Sequence, residues 1–387
     1  MQYRKFGKLD WKVSALGFGC MRLPVIGQDQ SRIDEPLAIR MMRYAIDNGV
    51  KYLDTAYMYH MGNSERVLGR ALKDGYREKV RIATKLPAMA VTKPEDFDRI
   101  LNDQIEKLQI DKVDFYLLHG LNKASWVKLR DMDVLNWAER QMAQGKIGRL
   151  GFSFHDKYPV FKEIVDAYDN WVLSQVQYNY MDISNQAGRR GVEYAAGKGL
   201  AVVVMEPLRG GKLSKEPPPA VAKVWAKAYR EMKPVEWGLQ WVWNQPEISV
   251  ALSGMSTMEQ VVENVAIAGR SGPGTLNDKD LVLIDRVRKA YRGLTPIPCT
   301  DCKYCQPCPH GVDIPRVFQF YNDAVIYDDF ATARRMYNGP FFKPESRADK
   351  CEECNECLEK CPQHIQIPDW LKKAHAALKT EPAPPPG

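Results

Sequence analysis

The sequence predicts an α/β protein, a (β/α)8 TIM barrel followed by a smaller, mainly helical domain. Eight short apolar runs recur through the first 254 residues, starting roughly every thirty residues with helical patterns between most of them. Eight of the nine cysteines fall in the last quarter of the chain, in two tight runs. No G-x-G-x-x-G follows any apolar run, which removes the fingerprint of the competing doubly wound sheet.

Residues 2–12 read as a short hairpin ahead of the first core strand, 14–19 (SALGFG). The other seven runs are 50–56 (VKYLDTA), 80–86 (VRIATKL), 113–120 (VDFYLLHG), 147–154 (IGRLGFSF), 172–178 (VLSQVQY), 200–206 (LAVVVME) and 248–254 (ISVALSG). Between them, residues 36–49, 134–148, 191–199 and 258–269 place apolar side chains at helical spacing, and Gly49 marks one helix end. Eight strand–helix units are the content of a (β/α)8 barrel. Residues 212–234 form a long connection containing Pro217–Pro219, either a cover over a bound cofactor or an exposed linker. Residues 278–294 are an amphipathic helix broken by TPIP at 295–298, so the barrel domain is set at 1–294 and the second domain at 295–372. The remainder, 373–387, ends in TEPAPPPG and reads as a disordered tail.

Composition narrows the function. Length suits one large domain plus a smaller one. No apolar run approaches the ~18 residues of a membrane helix, and the N-terminus lacks a signal-peptide core, so a cytoplasmic protein without a membrane partner is expected. The formal charge of +7 is mild for 387 residues. A solvated basic surface accounts for it, although an acidic redox partner or a phosphorylated cofactor would also be attracted. No Lys/Arg cluster interleaved with aromatics argues for nucleic acid.

In a (β/α)8 barrel the chemistry sits where strands end and the βα loops begin. The stretch KYLDTAYMYHMGNSE, 51–65, ends its strand at Asp54 and presents Tyr59 five residues on. Lys85 ends the next run and His119 the one after; Ser153, Gln175 and the MEPLRGG turn at 205–211 occupy the same ends of later runs. Taken singly, these residues are a turn cap, a strand-end ion pair and a core histidine. As an ordered set, Asp54, Tyr59, Lys85 and His119 resemble the catalytic tetrad of the aldo-keto reductases.

That resemblance implies hydride transfer from NADPH or NADH to the carbonyl of a small aldehyde or ketone, or the reverse with an alcohol. Tyr59 would donate the proton, Lys85 would lower the phenol's pKa, Asp54 would hold the ammonium, and neutral His119 would orient the carbonyl. By family position Ser153 and Gln175 would bind the nicotinamide carboxamide, and Phe154 replaces a usual asparagine. Met205 stands where an aromatic ring often stacks on the nicotinamide, Pro207, Leu208 and Gly210 continue the cofactor turn, and Ser256, Gln260 and Asn264 would meet the adenosine end. The basic residues that some members use for a 2′-phosphate fall on Gly254 and Gln260, which leaves NADPH and NADH both open.

The cysteines form C-x2-C-x2-C-x2-C-P (Cys299, Cys302, Cys305, Cys308) and C-x2-C-x2-C-x3-C-P (Cys351, Cys354, Cys357, Cys361). The second is the bacterial [4Fe–4S] spacing, and the pair implies two clusters, with zinc the rival. In two-cluster ferredoxins the fourth cysteine of each run serves the other cluster. One set is therefore expected to be Cys299, Cys302, Cys305 and Cys361, the other Cys351, Cys354, Cys357 and Cys308, although the first run is one residue short. The insert between the runs reads helical, favouring a helical two-cluster ferredoxin-like domain. The whole arrangement resembles the aldo-keto reductase subfamily with a C-terminal ferredoxin domain. Nicotinamide moves electrons in pairs and clusters move them singly; a flavin would bridge the two, but no flavin motif is present. The clusters would exchange electrons with ferredoxin or another redox protein, or be structural. The alternative is a redox-sensing, nucleotide-binding regulatory or electron-transfer subunit with little carbonyl turnover.

Overall fold

In the computed structural model, which describes residues 1–379 except Gln28 and Phe341, two compact units are resolved. One comprises residues 1–215 and 231–281; the other takes 216–230 and the chain from 282.

The first unit is the barrel. A hairpin of β1 (Tyr3–Phe6) and β2 (Leu9–Ser14) precedes it. The barrel strands follow as β3 (Leu16–Gly19), β4 (Tyr52–Asp54), β5 (Arg81–Pro87), β6 (Val113–Leu121), β7 (Ile147–Phe154), β8 (Leu173–Gln177), β9 (Ala201–Met205) and β10 (Ile248–Ser253). They close in the order β10-β3-β4-β5-β6-β7-β8-β9, every pair parallel. All eight apolar runs are therefore barrel strands. Their continuous burial on both faces is what a parallel sheet covered by helices requires.

The hairpin packs with one end of the barrel. Phe6 lies 4.9 Å from Phe115 and 5.2 Å from Trp11, ring centre to ring centre, and Tyr52 joins the same cluster. Ala83, Leu117, Val203 and Val250 continue it into the barrel interior. Gly7 makes the hairpin turn at φ +54°; a Cβ there would come within 2.4 Å of the Ala201 nitrogen, so only glycine fits that approach.

In the second unit the insert between the cysteine runs is helical, as expected, but in two pieces, Ile314–Ile326 and Phe330–Asn338. Asp313 and Asp329 cap them by accepting from the backbone N–H of Arg316 and Thr332. Val317, Phe318, Tyr337 and Leu371 are among the residues that form the core. Buried Tyr337 carries its hydroxyl into a polar knot, accepting from the Ala348 N–H at 2.9 Å and meeting His375 Nδ1 at 2.9 Å.

Two expectations change. The helix Ile367–Leu378 runs six residues into the segment expected to be a disordered tail, because Ala374 and Leu378 are buried in this core; residues 380–387 lie outside the described ones. The long connection 212–234 holds a helix of its own, Pro219–Trp225.

Removing the Phe115 ring would empty the centre of the aromatic cluster. Phe115→Ala is expected to lower the barrel's unfolding free energy by about 3–5 kcal/mol, read from urea denaturation monitored by tryptophan fluorescence.

Candidate active site and cysteine cavities

Asp54 is the last residue of β4 and Lys85 lies on β5, the neighbouring strand. Both side chains are almost wholly buried. Lys85 Nζ donates to Asp54 Oδ1 at 2.5 Å, to the Thr55 carbonyl at 2.7 Å and to the Tyr59 hydroxyl at 3.5 Å. Burial alone would lower the lysine's pKa, but Asp54 and Tyr59 outweigh it and the ammonium is held above its usual range. Burial pushes the Asp54 carboxyl up while Lys85 and Gln175 favour the carboxylate. The ion pair is the form consistent with the three donor contacts of Lys85.

Tyr59 follows β4 in a short turn, and its ring stands edge-on to His119 at 6.0 Å. Burial raises the phenol above its usual value, and Lys85 only partly reverses it. The expected lowering by Lys85 is therefore real as a contribution but loses to desolvation. The result keeps the proton on the oxygen, the form a proton donor needs. His119, near the end of β6, keeps a little exposed surface. Burial first, then the charges of Lys85 and His155, hold its imidazole down to about 3, so it is neutral in ordinary buffers.

Ser153 on β7 and Gln175 on β8 are paired in register. Ser153 Oγ accepts from the Gly120 N–H at 2.8 Å. Gln175 is buried, and its Oε1 has no hydrogen-bond partner. An orphaned amide oxygen this deep is costly unless something else donates to it; a carboxamide N–H fits that need. Met205 ends β9, half-buried. Beyond it Pro207 and Leu208 lead into a turn where Arg209, Gly210 and Gly211 all have positive φ, 50°, 67° and 91°, and the Arg209 and Gly211 N–H groups donate within the turn to the Glu206 and Leu208 carbonyls at 3.0 Å. Ser256 Oγ donates to the Arg22 carbonyl at 2.8 Å, and the Ser256 N–H donates to Gln260 Oε1 at 2.8 Å. Asn264 spends its amide on Ser253 Oγ at 3.0 Å, so it braces β10 from within.

Arg22 escaped the sequence reading. Its stem lies against Gly254, and its guanidinium reaches Gly210, where a Cβ would sit 3.1 Å from Nη2. It joins the loops after β9 and β10, the region where barrels of this type hold phosphate. Its signal was present: Arg22 follows the end of β3, and the strand-end rule that selected Lys85 also covers it. His155, just past β7, was likewise passed over; it lies close enough to His119 to affect its charge. Cys20 is fully buried, within reach of the charges of Asp54 and Lys85, and its thiol is raised by burial.

Two cavities occupy the second unit. One is lined by Cys299, Cys302, Cys305 and Cys361; the other by Cys305, Cys308, Cys351, Cys354 and Cys357. Each draws cysteines from both runs. Burial first, then neighbouring thiols, push Cys305 and Cys357 up to about 11. Thiols crowded this way resist ionising together without a cationic core between them, so the donor set fits a metal–sulfur group.

The sequence profile described as the aldo/keto reductase family matches residues 15–288, and that of a 4Fe-4S dicluster domain matches residues 298–366. The uncharacterized oxidoreductase YrpG of Bacillus subtilis (strain 168) is 28% identical over 234 residues, 55% of this chain and 68% of that protein. An aldo-keto reductase from Bacillus halodurans in its holo form superposes with a TM-score of 0.63 at 27% identity, over 75% of this chain and 97% of its own. One from Klebsiella pneumoniae in complex with NADPH shares the fold, with a TM-score of 0.59 at 22% identity over 74% and 96%. No helix among the described residues is long and apolar enough to cross a membrane.

An imidazole depressed to about 3 takes no proton between pH 5 and 8, whereas an unfolded histidine titrates near ~6.5. Nitrogen-15 NMR of the folded protein should show His119 unchanged across that range. Stability should fall as pH drops from ~6.5 toward about 3, where only the unfolded imidazole binds the proton.

Proposed function

The chain belongs to the aldo/keto reductase family and carries a 4Fe-4S dicluster domain, and from that premise we propose that its barrel interconverts a small carbonyl and its alcohol, with Tyr59 as proton donor. The observation that carries this reading is Lys85 Nζ within hydrogen-bond reach of both Asp54 and the Tyr59 hydroxyl. A nicotinamide dinucleotide, NADPH or NADH, supplies the hydride when bound.

The protein's own groups supply the rest. His119, neutral, donates a hydrogen bond to the carbonyl oxygen and fixes its angle to Tyr59. As negative charge develops on that oxygen, Tyr59 releases its proton to it, and the Lys85 ammonium steadies the phenolate left behind. Asp54 keeps the ammonium charged in a buried setting that would otherwise neutralise it. In the reverse direction the same pair receives the alcohol proton.

Ser153 and Gln175 hold the cofactor's carboxamide, which answers the orphaned Gln175 oxygen. The Met205 thioether packs against its ring. Pro207, Leu208 and Gly210, with the Arg22 guanidinium, take the diphosphate, and Ser256 and Gln260 the adenosine end, with Asn264 bracing β10 behind them. The binding of NADPH by the Klebsiella protein is consistent with this assignment.

In the second domain two [4Fe–4S] clusters are assigned, one to Cys299, Cys302, Cys305 and Cys361 and the other to Cys351, Cys354, Cys357 and Cys308. The cavity linings support the crossed pairing. The clusters exchange single electrons with a ferredoxin or comparable redox protein. Carbonyl reduction in the barrel balances without them, one hydride and one proton per turnover.

Tyr59→Phe is expected to cut carbonyl reduction by about 10²–10⁴-fold while NADPH binding, followed by fluorescence, stays within twofold or so. Equal loss of binding would sink the assigned role. Anaerobically purified protein should contain about eight iron per chain. Cys361→Ser should remove the signal of the cluster held by the first run in EPR, and Cys308→Ser that of the other. The opposite pattern would mean the fourth ligands are not exchanged.

A further inference from the structure

Tyr59 opens a turn whose next two residues, His60 and Met61, adopt φ of 52° and 55°. Side chains other than glycine take such values at a cost and keep them where surrounding bonds impose them. Here the bonds run through the His60 ring, which is buried. Its Nε2 accepts from the Leu23 N–H at 3.1 Å, and its Nδ1 meets the Gln30 carbonyl at 2.9 Å. Leu23 and Gln30 belong to the connection after β3, whose two arms are joined by a bridge between Val25 and Ile33. The Asn63 amide reaches the Ser31 carbonyl of the same connection at 3.0 Å. The turn that carries Tyr59 is therefore tied to a loop from the neighbouring strand, and the imidazole is the principal knot.

The partners of the ring fix its proton. A backbone N–H only donates and a carbonyl only accepts, so the proton sits on Nδ1 and the lone pair on Nε2. Both nitrogens are committed in the neutral form. A second proton on Nε2 would face the Leu23 N–H and cancel that bond. Burial holds the imidazole below its usual value, outweighing the Gln30 and Met21 backbone groups that favour the proton. The elements packed against the ring carry Cys20 and Arg22 after β3, Asp29, Arg32 and Asp34 around Gln30, and Glu65, Arg66 and Arg70 on the helix Ser64–Ala71. Its charge balance is set by burial and backbone rather than by these groups.

We propose that His60 is the positioning residue of Tyr59: the neutral imidazole holds the phenol against Lys85, and a second proton on the ring releases it. The proposal rests on the reading of Tyr59 as proton donor. Lys85 Nζ stands 3.5 Å from the Tyr59 hydroxyl, at the limit of hydrogen-bond reach, so that contact has no slack. A reacting group displaced by ~1 Å can cost about 10²-fold in rate. His119, held down to about 3, and Tyr59 and Lys85, both raised, do not titrate on the mildly acid side of neutrality. A loss of turnover there belongs to His60.

The test uses the full-length, cluster-containing protein under anaerobic conditions. Imidazole nitrogen-15 NMR, with His60 identified by its absence in His60→Gln, should show the proton on Nδ1 at neutral pH and a second one arriving below ~6.5. The Cζ signal of Tyr59 in carbon-13 tyrosine-labelled protein, identified by its absence in Tyr59→Phe, should move over the same interval. Neither readout needs turnover. With butanal and NADPH, kcat should fall over that interval while NADPH binding holds. His60→Ala should lower kcat at neutral pH by about tenfold or more, with thermal melting recorded to exclude misfolding. His60→Gln, whose amide both accepts and donates but cannot titrate, should recover part of that loss and abolish the acid fall. A proton on Nε2 at neutral pH, a Tyr59 signal indifferent to His60, or an acid fall that persists in His60→Gln would overturn the proposal and leave carbonyl reduction in place. Both NMR responses without any carbonyl turnover would instead overturn the reductase reading and keep the clamp on Tyr59.

Discussion

A lysine ammonium and an aspartate carboxylate, both nearly sealed from water, meet at 2.5 Å inside the mouth of the barrel. Neither charge would survive there alone, because taking an ion out of water costs several kcal/mol even in a relaxed protein site. The pair must therefore be made before anything else in the site has meaning. Its two members come from neighbouring strands in fixed parallel register, so the closed barrel is what guarantees their meeting. Tyr59 inherits its environment from them: among the described residues, the Lys85 ammonium is the cation that acts on its phenol. His119 inherits its neutrality partly from the same charge.

The back of the pair is also braced. Thr84 and Gln104 reach Glu65 Oε1 at 2.5 and 2.7 Å, Gln104 donates to the Lys85 carbonyl at 3.1 Å, and its own Oε1 accepts from Tyr116 at 2.7 Å. Buried polar groups this closely joined hold β5 and the helix behind it at one separation. The lysine's reach to Tyr59 is then set by backbone that has little room to shift. Stability and chemistry share one set of bonds around Lys85.

The barrel was legible because its signal is repetitive. Eight apolar runs at even spacing leave few other architectures, and strand ends identify the mouth without any contact information. Asp54, Lys85 and His119 follow from that geometry, and the cysteine spacings identify the second domain equally directly. Burial was not legible. The sign of the Tyr59 shift depends on how much water the folded site excludes, which no residue pattern encodes. Arg22 was missed because its importance comes from two glycines, Gly210 and Gly254, distant in the chain and brought to its side only by folding. Met41, in the helical pattern 36–49, is buried on that helix's apolar face, whereas Met61, in the loop after β4, is exposed. The second domain was ended at residue 372 because the proline-rich TEPAPPPG marks a tail, whereas Ala374 and Leu378 complete a core.

The hairpin β1–β2 closes the far end of the barrel with Phe6 and Trp11, stacked on Phe115. With that end packed by aromatic rings, the strand ends that carry Asp54, Lys85 and Tyr59 are the open side of the proposed site, and the carbonyl and the nicotinamide of that reading would both approach from there.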